Sequence, residues 1–452
     1  MSPLKHIIYI LPIILLACST SFDKMKNLPS VRHPEWVKDA VIYEVNIRQF
    51  TPEGTFRAFE NHLPRLKELG VDILWLMPIH SIGEVNRKGT LGSYYAVKDY
   101  RSINSEFGDA EDLQRLVAHV HDLGMKIIFD WVGNHTAWDN VLTQTHPEWY
   151  VKDYAGKFIP PIGWDWSDVI VLDYTKEGLR NYMLESMEYW VEEFDIDGYR
   201  CDVAGYVPSD FWVTARELLN ETKEVFMLAE WDDRAMHYAF DMTYARELEE
   251  AMQHVASGSK DASAINAYIA KMINSTRLDE IKMTHTTNHD QNTWEGTVFE
   301  RFGQAAENFA VLTYALEGMP LIYGGQEVGL NRPLAFFEKD QISWGDHPFN
   351  SLYARLNKLK KDNPALWNGE WGARMLPLKT TKPNQVNVVY REKQGNRVLA
   401  MFNHSADPVT FSITDKVYDG TYKSFKGRNT VELDSADEVT LGPWGYQIFS
   451  AK

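Results

Sequence analysis

The chain has 452 residues, and 63 Asp and Glu against 46 Lys and Arg give a formal net charge of -17. This length suits one large domain with an accessory domain. The acidic balance excludes nucleic acid as a partner and disfavours an electrostatic hold on anionic lipid, since both need a basic face. A neutral ligand fits, and the 15 Trp and 22 Tyr suit either a large core or rings that stack on sugar faces.

The first predicted element is a leader that resembles a secretory signal. An apolar run over 7–16 is too short to span a bilayer as a stable helix. It ends in Leu15-Leu16-Ala17-Cys18, which resembles the lipobox of bacterial lipoproteins, whose cysteine is lipidated; a chance cysteine is the alternative. We therefore predict a lipoprotein signal peptide over 1–18 and a polar tether over 19–34. A lipid on Cys18 would anchor the exported protein to a bacterial membrane, on the periplasmic side or at the cell surface.

Residues 35–365 are predicted to form an α/β domain, because short apolar runs alternate with amphipathic helical stretches. The eight predicted strands are 40–47, 73–78, 126–131, 198–203, 225–230, 238–243, 281–286 and 320–323. Eight parallel β/α units close into a (β/α)8 TIM barrel. The alternative is an open doubly wound sheet, which would usually carry a glycine-rich phosphate turn after its first strand. Residues 40–50 contain no such turn.

Two further regions depart from the barrel pattern. The connection over 136–173, after strand 3, holds turn residues and aromatics without a strong helical pattern, and long excursions of this kind are usually functional. We expect a small inserted subdomain over the barrel mouth. Residues 370–452 change to short alternating strands separated by Gly, Asp and Pro turns. This pattern predicts a separate C-terminal antiparallel β-sandwich domain.

Chemically reactive side chains recur where the predicted strands end, which is where such a barrel forms its pocket. A single Asp at a strand end is often a helix N-cap, and a single His is often structural. Four clusters at one end of one barrel, however, must converge in space. They are Asp130-Trp131-Val132-Gly133-Asn134-His135, Gly198-Tyr199-Arg200-Cys201-Asp202, Leu228-Ala229-Glu230-Trp231 and Thr287-Asn288-His289-Asp290.

In order and in barrel position, these four segments resemble the conserved regions of the α-amylase family of glycoside hydrolases. Supporting stretches lie at 42–44, 70–78, 95–100 and 171–174, so the resemblance covers the chain from about residue 41 through the C-terminal domain. It implies a retaining glycosidase that cleaves α-glucosidic bonds in starch-like glucans, maltooligosaccharides or dextrins.

The resemblance also implies residue roles. Asp202 matches the nucleophile that forms a covalent glycosyl-enzyme, Glu230 the general acid and base, and Asp290 a third carboxylate that grips sugar hydroxyls. Arg200 shares a strand face with Asp202, and we expect its charge to keep the pKa of Asp202 low. Asp130, Trp131 and Cys201 are expected to be structural. The substrate-binding side chains implied are Tyr95, His135, Arg200 and His289.

The chain departs from the family pattern just after the nucleophile. Family members typically carry Lys-His where this chain has Gly205 and Tyr206, and those residues serve the leaving-group side and a structural calcium. The chemistry needs no cofactor. Asn134 and Asp173 match other calcium-region positions, but calcium prefers six to eight oxygen ligands. The sequence therefore leaves a structural calcium undecided.

The same departure leaves the substrate open among endo-cleaved starch, shorter oligosaccharides, cyclic dextrins and α-1,6 branches. A transglycosylase with the same intermediate is one alternative to hydrolysis. A non-catalytic glucan-binding barrel is another, although such relatives typically lose a carboxylate and Asp202, Glu230 and Asp290 are all present.

Overall fold

The structure is a computed structural model that describes residues 31–427, 429–435 and 437–452. The predicted signal peptide, Cys18 and most of the predicted tether lie outside the described residues. Within the described ranges, no helix is long and apolar enough to cross a membrane.

Eight parallel strands form a closed barrel, as the sequence predicts. They are β1 Ile42–Val45, β2 Ile73–Leu76, β3 Lys126–Trp131, β4 Gly198–Cys201, β5 Phe226–Ala229, β6 Met242–Tyr244, β7 Ile281–Thr284 and β8 Met319–Tyr323. Each strand pairs with its neighbours in the chain, and β1 pairs with β8 through Ile42 and Leu321. This closure excludes the open doubly wound sheet.

Strand spacing in the barrel depends on a glycine at the start of β4. Gly198 has a φ of 141°, and a Cβ there would lie 1.8 Å from the carbonyl oxygen of Phe226 on β5. Only glycine allows this close approach. Because β4 leads directly to Arg200 and Asp202, this contact helps to position the strand that carries two of the predicted site residues.

Helices cover the outside of the barrel. One of the amphipathic stretches forms the helix Ala110–Asp122, with Asp109 as its N-cap and Leu113, Leu116, Val117 and Val120 buried. Gly124 follows it with a φ of 66°, as a C-terminal cap does. The α-helices are Ile47–Phe50, Phe56–Glu60, Leu63–Leu69, Ala110–Asp122, Leu142–Thr145, Glu177–Phe194, Ser209–Thr222, Arg246–Ala256, Ser263–Ser275, Val298–Phe302, Ala306–Ala315 and Pro348–Asp362.

The sixth strand is shorter and later than the predicted 238–243. Arg234–Tyr238 forms a 3₁₀ turn, and β6 begins only at Met242. The buried Asp241 explains the difference, because its Oδ2 accepts hydrogen bonds from Arg216 at 2.6 Å and from the Met227 N–H at 2.7 Å. This carboxylate holds the chain against β5 before the strand starts.

The excursion after β3 forms the predicted small subdomain. Its strands His135–Ala137 and Val169–Val171 pair antiparallel, and the short helix Leu142–Thr145 lies between them. The excursion therefore returns to the barrel mouth close to where it leaves, which places its remaining loop over the strand ends.

The C-terminal region contains two antiparallel sheets. Its strands are β9 Leu376–Pro377, β10 Val386–Lys393, β11 Asn396–Asn403, β12 Val409–Ser412, β13 Gly420–Ser424, β14 Thr430–Leu433, β15 Glu438–Leu441 and β16 Tyr446–Ala451. Six strands pair in the order β9-β10-β11-β16-β13-β14, and β12 pairs with β15. The stretch 440–449, which reads as one strand in the sequence, is divided by a turn at Pro443 and Trp444, whose φ is 49°.

Hydrogen bonds tie these sheets to the barrel. The fully buried Arg391 of β10 donates to the carbonyl oxygens of Leu316 at 2.8 Å and Ala373 at 3.1 Å. From the barrel side, the Asn308 amide donates to the carbonyl oxygens of Asn403 at 3.2 Å and Trp444 at 3.1 Å. These backbone acceptors would otherwise be buried without partners.

Candidate active site

A cavity of about 460 Å³ opens at the carboxyl ends of the barrel strands. Six of the predicted site residues line it: Tyr95, His135, Asp202, Glu230, His289 and Asp290. Arg200 lies beneath them and is fully buried. A larger open groove of about 840 Å³ runs between the outer helices Arg246–Ala256 and Ser263–Ser275 and holds none of these residues.

One guanidinium connects three carboxylates under the pocket floor. Arg200 Nη1 lies 2.8 Å from Asp130 Oδ1 and 3.1 Å from Asp202 Oδ1, and Nη2 lies 3.0 Å from Glu230 Oε2. Asp130 also accepts hydrogen bonds from Trp75 at 3.1 Å and Tyr95 at 3.0 Å. Asp130 therefore orients Arg200 from beneath the pocket. Asp202 and Glu230 contact different nitrogen atoms of the Arg200 guanidinium, Nη1 and Nη2 respectively.

The charge on Arg200 does not keep the pKa of Asp202 low, contrary to the expectation from sequence. Burial raises the pKa of Asp202 well above its usual value, and the Glu230 and Asp130 carboxylates add to this effect. Burial likewise raises the pKa of Asp130 to about 6. The main physical reason is that burial penalises the charged carboxylates by more than Arg200 stabilises them, and that one cation is shared among three acidic groups.

Backbone geometry beside Asp202 positions Glu230. Val203 has a φ of 36°, an uncommon conformation for a β-branched residue, and its N–H donates to Glu230 Oε2 at 2.7 Å. Arg246 reaches the other carboxylate oxygen at 3.4 Å. Glu230 is thus held from both oxygens at the edge of the pocket.

His289 joins the pocket to the first strand. Its Nδ1 lies 2.5 Å from Glu44 Oε1, and its Nε2 lies 2.9 Å from the Tyr95 hydroxyl and 3.4 Å from Asp290 Oδ2. Burial acts to lower the pKa of His289, but the Asp290 and Glu44 carboxylates outweigh it and raise the pKa to about 9. His289 is therefore positively charged at neutral pH.

His135, the second predicted histidine, is neutral where His289 is cationic. Its Nε2 lies 3.9 Å from Asp202 Oδ2, and Nδ1 faces the Asn134 amide at 3.2 Å. Burial lowers the pKa of His135 to about 4, against a smaller raising effect of Glu230. At neutral pH the pocket therefore has one neutral and one cationic imidazole.

Comparison with known proteins agrees with this geometry. The family model for the α-amylase catalytic domain matches residues 44–404, which is most of the chain. The chain belongs to the α-amylase family. It is an α-amylase-family glycosidase, and a second model, for a β-galactosidase C-terminal domain, matches residues 385–451.

Individual relatives resemble the chain at moderate identity. α-Amylase MalA of Haloarcula japonica is 28% identical over 90% of this chain, which spans 63% of the length of that relative. The crystal structure of maltogenic α-amylase AmyB from Thermotoga neapolitana is 29% identical, with a TM-score of 0.84 over 92% of this chain and 99% of that one. An α-amylase structure from Lactobacillus plantarum is 31% identical, with a TM-score of 0.83 over 92% and 100%.

In this α-amylase-family chain, the departure at Gly205 and Tyr206 creates an aromatic rim. A Cβ on Gly205 would lie 2.0 Å from the Trp231 ring, so glycine makes room for that indole. The Tyr206 ring centroid lies 5.3 Å from Trp231, and the Trp164 indole N–H donates to the Tyr206 hydroxyl at 3.2 Å. We define the aromatic rim as Trp164, Tyr206 and Trp231.

The calcium that the family implies has poor candidate ligands in this structure. Asp173 Oδ1 already accepts two hydrogen bonds from Thr175, and Lys176 lies 3.4 Å from Oδ2. The Asn134 carbonyl accepts from the Leu172 N–H at 3.1 Å. Within the described ranges, no group of three or more His, Cys, Asp or Glu side chains is placed to hold a metal. Asp173 is thus engaged by protein donors, and Asn134 and Asp173 alone supply fewer oxygen ligands than the six to eight that calcium prefers.

Several site residues are not identified by sequence reasoning. Glu44 lies on β1 among apolar neighbours, and a buried acid at that position is a signal that could have pointed to a partner such as His289. Arg246 lies at a helix start with no distinguishing pattern, and Val203 acts through its backbone, for which side-chain identity carries no signal.

Proposed function

We propose that this chain is a retaining glycoside hydrolase that cleaves α-glucosidic bonds in starch-like glucans, maltooligosaccharides or dextrins. The observation that carries the proposal is the placement of Asp202 and Glu230 on one guanidinium at the floor of one pocket. A retaining mechanism needs two carboxyl groups close together across the anomeric carbon. Relatives named maltogenic amylase and cyclomaltodextrinase support a substrate of the α-glucan class.

In the first step, Asp202 attacks the anomeric carbon while Glu230 protonates the departing glycosidic oxygen. The C–O bond to the leaving group breaks as the ester bond to Asp202 forms, which gives a covalent glycosyl-enzyme. Arg200 stays charged throughout and holds both carboxylates in register through its two nitrogen atoms.

In the second step, Glu230 accepts a proton from water, and the hydroxide attacks the anomeric carbon. The ester bond to Asp202 breaks, and the product keeps the α-configuration. Asp290 and the cationic His289 are positioned to bind hydroxyls of the same sugar, while neutral His135 can donate or accept a hydrogen bond. These contacts favour the distorted ring of the transition state.

Product analysis tests the proposal. Leader-free protein is incubated with starch, pullulan, maltotriose, cyclodextrin and isomaltose, and products are separated by chromatography. Release of shorter α-glucosides from at least one substrate is expected, and their pattern distinguishes hydrolysis from transfer and α-1,4 from α-1,6 cleavage. Absence of any product, with folded protein, would refute the proposed activity.

We also propose that the mature enzyme is an exported lipoprotein anchored through Cys18. The support is the sequence of the leader alone, with its short apolar run ending in Leu15-Leu16-Ala17-Cys18. The test is membrane partitioning of the full chain and of its Cys18→Ala variant. Loss of partitioning in the variant is expected, and unchanged partitioning would overturn the anchor.

A further inference from the structure

One side of the catalytic pocket is closed by a short piece of chain. Residues 88–91, which we call the crossing segment, follow β2 and run from the excursion to the loop after β8. At one end, the Lys88 ammonium bonds the backbone carbonyl of Asp165 and lies 3.4 Å from its carboxylate. At the other end, the Thr90 N–H donates to Glu338 Oε1 at 2.8 Å and the Leu91 N–H to the Phe337 carbonyl at 3.0 Å.

The crossing segment is packed without a gap against the loop after β8. Gly89 has a φ of 62°, and a Cβ there would lie 2.4 Å from the Phe337 Cβ and 2.9 Å from Glu338 Oε1. From the short helix Ile47–Phe50 after β1, the buried Arg48 donates to the carbonyl oxygens of Leu91 and Gly92 at 3.3 and 3.1 Å. Bonded on three sides, the segment forms a fixed wall of the pocket.

This wall lies on the side of the pocket that would hold the glycone. Lys88, Phe336 and Phe337 line the cavity together with His289 and Asp290. Phe336 stacks on the Tyr95 ring at 6.1 Å. Glu230, which protonates the leaving group, follows β5, three strands around the closed barrel from β2, and the chain continues from it directly into Trp231.

The leaving-group side carries the aromatic rim. The aromatic rim does not line the cavity, and two of its members are exposed, Trp164 at 56% and Tyr206 at 44%. Exposed aromatic rings beside a sugar site are suited to stack on further sugar units. The cleft is therefore asymmetric, with the crossing segment across the glycone end and the aromatic rim beside the leaving-group end.

We propose that the pocket admits an α-glucan only by its non-reducing end, and that the enzyme removes short products from that end. In an α-glucan the glycone continues from its anomeric sugar toward the non-reducing end, so a long glycone would have to pass through the crossing segment. The remainder of the chain would lie over the aromatic rim. This inference rests on the proposed function and adds an exo mode of attack to it.

The test compares two maltoheptaosides that differ only by an ethylidene cap on the non-reducing terminal sugar. We expect the capped substrate to be cleaved about 100-fold more slowly than the free one, because the cap prevents productive seating. Equal cleavage of both would overturn the exo mode and leave the proposed hydrolase intact. Cleavage of neither would overturn the proposed hydrolase itself.

A variant pair tests whether the crossing segment is the barrier. The double variant Lys88→Ala/Glu338→Ala removes a side-chain bond at each end of the segment, and Lys98→Ala is the matched control. Lys98 belongs to the same loop and pairs with Glu84 at 3.2 Å and Asp139 at 3.5 Å, but it does not line the cavity.

We expect the ratio of capped to free cleavage to rise about 10-fold in the double variant and to stay at the wild-type value in Lys98→Ala. Melting curves show whether both proteins fold. A folded double variant with an unchanged ratio would overturn the crossing segment as the barrier.

Discussion

Arg200 contacts three acidic side chains at once, and this imbalance contributes to the electrostatics of the pocket. When Asp130, Asp202 and Glu230 are ionised, these three side chains and Arg200 together carry excess negative charge. Such a field favours the positive charge that develops on the sugar ring in the transition state. The raised pKa of Asp202 is the other consequence, since this carboxyl group must lose its proton against that field before it can act as the proposed nucleophile.

Isosteric neutral variants test the two principal roles. Asp202→Asn and Glu230→Gln should each lower kcat by about 10⁴-fold or more, because each removes a group that takes part directly in bond exchange. Glu247→Gln, in the outer groove away from the pocket, serves as the control and should keep wild-type kcat. Near-normal turnover in either pocket variant, measured by product release, would contradict the role assignment.

The charge on His289 predicts the alkaline limit of activity. Its pKa of about 9, above the usual 6.5, means that the proton and the stability it contributes are present below pH 6.5 and are lost as the pH rises through 9. Glu44→Gln removes one of the two carboxylates that raise this pKa. The alkaline limb of kcat/KM should therefore move down by about one pH unit, and an unmoved limb would contradict the assignment.

Sequence predicts which side chains meet at this site better than it predicts their charge states. Asp202, Glu230 and Asp290 lie at strand ends and converge, as expected for a barrel. The pKa of Asp202 depends on how many neighbours share Arg200, which is a three-dimensional property. Glu44 shows the same limit, because it raises the pKa of His289 although the two residues are 245 positions apart in the sequence.

At the level of elements, β4 and its following turn carry the strictest local requirements. Gly198 allows the strand to approach β5, and Gly205, in the turn after Asp202, allows Trp231 to lie against the chain. The strand itself is predictable from its apolar pattern. The limits of β6 and the break between β15 and β16 are not, because Asp241 and the Trp444 turn depend on partners distant in the sequence.

Gly205→Ala tests whether glycine is needed for the aromatic rim. The new Cβ would overlap the Trp231 ring, so we expect a loss of about 1–3 kcal/mol in the free energy of unfolding and a raised KM for longer substrates. Gly345→Ala is the matched control, since nothing lies within 4 Å of a Cβ there. Equal stability of the two variants in urea unfolding would show that Trp231 moves freely.

At the scale of the whole molecule, the barrel and the C-terminal sheets are joined through a few buried donors. The barrel and the antiparallel strands follow from repeated patterns in the sequence, which is why both are predictable. Their contact depends on single side chains such as Arg391 and Asn308, which no periodicity identifies.

Arg391→Leu should therefore destabilise the protein as a whole. The variant leaves the Leu316 and Ala373 carbonyl oxygens without their donor, at a cost of about 1–3 kcal/mol for each unsatisfied group. Arg397→Leu on β11 removes a weaker 3.4 Å bond to the Asp419 carbonyl and a contact over the Tyr422 ring, and it is the control. Thermal unfolding measures both, and equal melting temperatures would contradict a stabilising role for Arg391.

Chemical modification of the buried Cys201 can report how often the barrel opens. Its side chain is fully buried in β4, and burial raises the pKa of the thiol well above its usual value, so the reactive thiolate is scarce in the folded protein. In leader-free protein it is the one cysteine. A thiol reagent can then reach it only when β4 separates from its neighbours, and the rate of modification counts those openings.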